Sequence, residues 1–108
     1  MNQTQTIAIA TVALNQEKFR PDFAVWLAEN WHVFEYFQRS ANTVWSHGWK
    51  HYSARTIWEV MRHRSAVREI SNEPWKLNDH RVPDVARLYL LLNADKAGLF
   101  ELRERRAA

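Results

Sequence analysis

Two histidines, His47 and His51, stand four residues apart, the spacing that would turn both imidazoles toward one metal ion if a single helix carried them. Gly48 between them and Ser53 just beyond interrupt such a helix. A third ligand would have to come from His63, Asp79 or His80, and no spacing rule selects one. The pair therefore reads as polar loop histidines, and no metal is expected. A second cluster, Asn78, Asp79, His80 and Arg81, sets an acid and a base side by side. Turn formation and capping of a following helix account for it equally well. No paired-carboxylate spacing or serine-centred elbow is present, and a chain with two glycines cannot build a glycine-rich phosphate loop. The absence of cysteine removes thiolate metal sites, cysteine nucleophiles and disulfides together. The expectation is a protein that is not an enzyme and carries no cofactor, with a metal-dependent nuclease as the minor alternative.

The cations are more informative. Residues 1–48 carry three basic and four acidic groups, and residues 69–108 carry seven of each. Residues 49–68 hold Lys50, Arg55, Arg62, Arg64 and Arg68 against Glu59 alone, so the net charge of +3 is a local excess. A concentrated basic patch points to a polyanionic partner, although a solvated basic face is its common alternative. The candidate nucleic-acid-binding residues are Lys50, Arg55, Arg62, His63, Lys76 and Arg81. Lys76 and Arg81 would form a second contact beyond the helix that carries the others.

These side chains need elements to present them. With 46% apolar residues, six Trp and five Phe in 108 residues, one packed domain over residues 21–102 is expected, and the few glycines and prolines favour helices over many short strands. Pro21 and Asp22 open a first helix that carries Phe23, Trp26 and Leu27 on one face and stops near Asn30. A second follows from Trp31, with Phe34, Phe37, Ala41, Val44 and Trp45 at helical spacing, and Gly48 suits its left-handed cap. Most of these aromatics read as core. Ser53 caps a third helix whose apolar stripe is Ile57, Val60 and Met61. Arg55, Glu59, Arg62 and His63 fall on its other side, so truncating Arg55 and Arg62 should cost little stability. Residues 66–78 combine a turn cluster with the alternation of Trp75, Lys76, Leu77 and Asn78, the signal of a small hairpin. Pro83 and Asp84 open a fourth helix through Leu92, and Phe100 with Leu102 could add a short third strand. Residues 1–16 show no two-faced periodicity and read as a tail, added strand or arm, so residues 1–20 are expected to form an N-terminal arm or tail; residues 103–108 read as a polar tail.

The stretches HYSARTIWEV (residues 51–60), WKLNDHRVPDVARLY (75–89) and GLFELR (98–103) resemble a set of small proteins of bacteriophages and prophages. The likeness covers roughly the last two thirds of the chain and leaves residues 1–20 outside. It implies a phage or prophage setting and supplies no catalytic or binding residues. The element order resembles a winged-helix layout, so the expected fold is mainly α with a small β-hairpin, a helix-turn-helix plus a wing. The expected function is DNA binding by the basic third helix and the hairpin. The alternative is a protein-interaction module that binds a host protein or a second copy through exposed Trp and Arg, with Trp31, Trp49, Trp58 and Trp75 as candidates. Without a cationic leader or a span-length apolar run, the expected location is the cytoplasm, away from membranes.

Overall fold

The structure, a computed structural model, describes residues 2–102, so the tail expected over residues 103–108 lies outside it. Five α-helices follow one another: α1 (Gln3–Leu14), α2 (Phe23–Glu29), α3 (Trp31–Ser46), α4 (Ala54–Ala66) and α5 (Val82–Leu92). Short 3-10 turns occupy Gln16–Lys18, Asp79–Arg81 and Ala94–Lys96. Helix α1 packs on α2 and α5, α3 packs on α4 and α2, and α4 packs on α5.

The core grows from the aromatic spacing in α2 and α3. Phe37 lies at its centre, with ring centroids 6.4 Å from Trp58, 6.3 Å from Tyr89 and 5.4 Å from Phe100. Phe19 stacks on Phe23 at 5.2 Å and ties the segment before α2 into the same mass. Burying these rings and the Leu, Val and Met side chains around them supplies most of the drive to fold.

The C-terminal ends of α3 and α4 close by the same device. After α3, the Gly48 N–H donates to the Trp45 carbonyl at 2.9 Å and the Trp49 N–H to the Val44 carbonyl at 3.4 Å, with Gly48 at φ 97°. This is the left-handed cap that Gly48 suggests. After α4, the Arg68 N–H reaches the Ser65 carbonyl at 3.1 Å and the Glu69 N–H the Arg64 carbonyl at 2.8 Å, but here a non-glycine residue, Arg68, takes φ 62°.

That second cap explains why the expected hairpin does not form. Residues 67–69 are spent closing α4, and no strand occurs among the described residues. The winged-helix expectation is therefore corrected: the described chain is helical throughout, without a wing, and Lys76 sits on an irregular segment. The alternation over residues 75–78 is real but has another cause. Trp75 is half-buried and Leu77 buried while Lys76 and Asn78 face water, so one extended segment lies against the helices with no partner strand. Side chains take up its backbone groups: the Trp75 N–H donates to Ser65 Oγ at 3.1 Å, and the Leu77 carbonyl accepts from Arg62 at 2.8 Å. Phe100 is core rather than strand.

Residues 3–14 are a helix, not an added strand. Asn2 caps it by accepting from the Gln5 N–H at 2.7 Å, and its Ala8 and Val12 are buried while Ile7 and Leu14 on the other side are exposed. Apolar residues on both sides erase the two-faced pattern, which is why periodicity misses this helix.

Candidate nucleic-acid interface

The outer face of α4 carries the expected cations, but folding brings carboxylates to them. The Arg62 guanidinium is a hub: Nη1 donates to both Glu59 oxygens at 2.7 Å, and Nη2 donates to the Leu77 carbonyl and to Asp79 Oδ1. Arg55 Nη1 reaches the other Asp79 oxygen at 3.3 Å. The hydrogen bond from Arg62, with the charges of both arginines behind it, holds the Asp79 carboxyl below the usual carboxylate range. Arg55 and Arg62 are thus brought together, through a shared acid that lies seventeen or more residues further along the chain.

Arg81 follows Asp79 in sequence yet turns elsewhere. It forms a two-pronged ion pair with Asp22 at 3.1 and 2.8 Å, lies over the Trp26 ring at 5.4 Å, and leaves only 16% of its side chain exposed. Its hydrogen bond lowers the Asp22 pKa. Arg81 joins the segment before α2 to the start of α5, and its forked geometry serves the fold. Arg64 is likewise engaged, by Glu69 at 3.0 Å and by the Tyr36 hydroxyl. Of the six expected contact residues, Lys50, Arg55, His63 and Lys76 are exposed, whereas Arg62 and Arg81 are half-buried and paired.

One surface that remains basic is the α3–α4 loop. No Asp or Glu occurs over residues 36–58, and the loop at the end of this stretch holds His47, Lys50 and His51, followed by Arg55 in the first turn of α4. Trp49 projects from it with 56% of its surface exposed. Its ring packs edge-on against Tyr52 at 5.7 Å, and Lys50 Nζ sits 3.8 Å from the centroid of Trp45. The loop is anchored where it meets the C-terminal segment: the Tyr52 N–H donates to the Leu99 carbonyl at 2.7 Å, and His51 Nδ1 bonds the Gly98 carbonyl at 3.0 Å. A cleft of about 770 Å³ opens beside it, bordered by the start of α4, the start of α5 and residues 99–102.

An aromatic face next to cations, with no acid in the same stretch, can stack on a base or another ring and take a phosphate or carboxylate beside it. The acid-free run was the signal for this loop, and a charge count over residues 49–68 cuts it in two. Trp58, a candidate for an exposed interface, is instead wholly buried in contact with Trp26 and Phe37, and its indole N–H has no hydrogen-bond partner among the described residues. Trp31 and Trp75 are half-buried, so Trp49 is the exposed one of the four named tryptophans. His47 and His51 sit on the loop as polar residues, His47 Nδ1 bonding the Thr43 carbonyl at 2.9 Å. Among the described residues no group of three or more His, Asp or Glu is placed to hold a metal ion, and no described helix is long and apolar enough to cross a membrane. Comparison of the chain with protein-family models, with curated proteins and with solved structures finds no match.

Proposed function

We propose that this chain is a nucleic-acid-binding protein whose contact surface is the α3–α4 loop and the first turn of α4, not the whole outer face of α4. The observation that carries the reading is the exposed Trp49 among Lys50, His47, His51 and Arg55 in a stretch without a single carboxylate. Lys50 and Arg55 would neutralise phosphates and Trp49 would offer a stacking face, a division of labour that gives affinity with little sequence preference. Arg62 and Arg81, bound to their own acids, are removed from the contact set. The resemblance to phage and prophage proteins supports a bacterial cytoplasmic setting, where nucleic acid is the abundant polyanion.

Fluorescence anisotropy with labelled mixed-sequence DNA tests this. Binding at low salt should weaken steeply as salt rises, and Trp49→Ala combined with Lys50→Ala should lower affinity at least about tenfold while the melting temperature stays unchanged. A parent protein that ignores DNA at low salt overturns the proposal. Self-association is the second reading, favoured by Ile7 and Leu14, which are 51% and 83% exposed one heptad apart on a helix that carries no charge. A concentration-dependent dimer without DNA affinity would replace the first reading by this one.

A further inference from the structure

The cleft beside the loop has a lining that separates by chemistry. Its apolar lining comes from Val82, Pro83 and Ala86 of α5 and from Leu99 and Leu102, of which Pro83 and Leu102 are the more accessible. Its polar lining includes His51 and Arg55 on the loop side and Glu101 on the C-terminal segment, all three exposed. A volume of about 770 Å³ suits a ligand of a few tens of atoms, larger than an ion and smaller than a duplex.

We infer that this cleft holds one unpaired nucleotide of a single strand, its base against the apolar floor and its phosphate on His51 and Arg55; the inference rests on the nucleic-acid reading above. Arg55 is well placed for a phosphate because its side chain is 61% exposed and its ion pair to Asp79, at 3.3 Å, is solvent-screened and easily exchanged. His51 is oriented by its Nδ1 bond to the Gly98 carbonyl, which leaves Nε2 as the ring's remaining polar atom. Glu101 supplies an acceptor for the N–H groups along a base edge. Arg87 also borders the cleft but is engaged by the Lys18 carbonyl at 2.8 Å and by Asp84, so the phosphate contact is assigned to the other two. A base paired and stacked inside a duplex cannot reach such a floor without being extruded, so the cleft makes the surface selective for single strands. Trp49 on the neighbouring loop would then stack on an adjacent base.

The same mixed-sequence strand, presented alone and annealed to its complement, separates the possibilities. The parent should bind the single strand about tenfold or more tighter, the range expected from one base-stacking contact. Ala54→Phe, which projects a ring into the cleft from the half-buried first position of α4, should bring single-strand affinity down to the duplex value. Because a bulky side chain there can also disturb folding, adenosine monophosphate added to the unaltered protein gives an independent readout. It should shift the amide NMR signals of Ala54, Leu99 and Leu102 and leave those of α1 in place. Equal affinity for the two DNA forms, or no shift at the cleft, overturns the inference while leaving the loop interface standing. Failure to bind either DNA form overturns the inference together with the reading on which it rests.

Discussion

Truncating Arg62 separates a structural role from a nucleic-acid contact. As a surface cation on α4 it should be removable at little cost, but in the folded chain it is 35% exposed and donates to the Leu77 carbonyl at 2.8 Å while bridging Glu59 and Asp79. Arg62→Ala leaves that carbonyl, on a buried residue, without its charged donor, and releases the extended segment over residues 75–79 from α4. A hydrogen bond to a charged group contributes about 1.5–3 kcal/mol, so a loss of about 2 kcal/mol is expected, with the exposed ion pairs adding little. For a domain of this size that lowers the melting temperature by about 10 °C. Arg55→Ala removes one screened pair and should change stability by about 0.5 kcal/mol or less. Arg62→Lys should fall between, because an ammonium keeps the charge but cannot span three acceptors in different directions. Urea unfolding followed by tryptophan fluorescence measures all three. Equal stability of the Arg62→Ala and Arg55→Ala variants would refute the assignment of Arg62 to the fold and return it to the contact surface.

Two further predictions test other parts of the structure. Val12→Asp should destabilise the protein by about 3 kcal/mol or more, since it puts a charge on the buried side of α1; a variant that melts like the parent would show that residues 3–14 do not dock, as an independent arm would not. Tyr89 is fully buried, its hydroxyl donating to Asn42 Oδ1 at 2.6 Å, and burial, helped by the negative charge of Asp95, pushes its pKa up to about 12. The neutral phenol therefore contributes stability that is intact below about pH 10, where an unfolded tyrosine begins to ionise, and that falls by about 3 kcal/mol as the pH rises to about 12. Ultraviolet titration should show a tyrosine ionising near pH 12, and loss of that late step in Tyr89→Phe would assign it; absence of such a step would contradict the burial.

Local chemistry made several features legible without coordinates. The aromatic spacing from Phe23 to Trp45 marked α2 and α3, Asn30 marked their junction, Ser53 marked the start of α4, and Gly48 marked a left-handed cap, because each signal depends on residues within one or two helical turns. Of the expected stripe Ile57, Val60 and Met61, Ile57 and Met61 lie on the buried side of α4 but Val60 is exposed, and Trp58 takes its place in the core, where α2 and α3 supply Trp26 and Phe37 as neighbours. Alternation over residues 75–78 reported which side of an extended chain is covered, but not whether the cover is a strand or a helix, since both hide every second side chain. Helix α1, with apolar residues on both its buried and its exposed side, had no two-faced pattern to read. The charges were least legible of all. Arg55, Arg62 and Arg81 are cations in the sequence, and only the tertiary structure decides that Asp79 lies between the first two and Asp22 faces the third. Coulomb attraction acts through space, at separations that a long loop can close or leave open, so the same composition can bury a basic patch in ion pairs or present it to a partner. What folding left uncovered is the acid-free loop around Trp49, whose composition was written in the chain but whose exposure was settled by how the helices on either side of it pack.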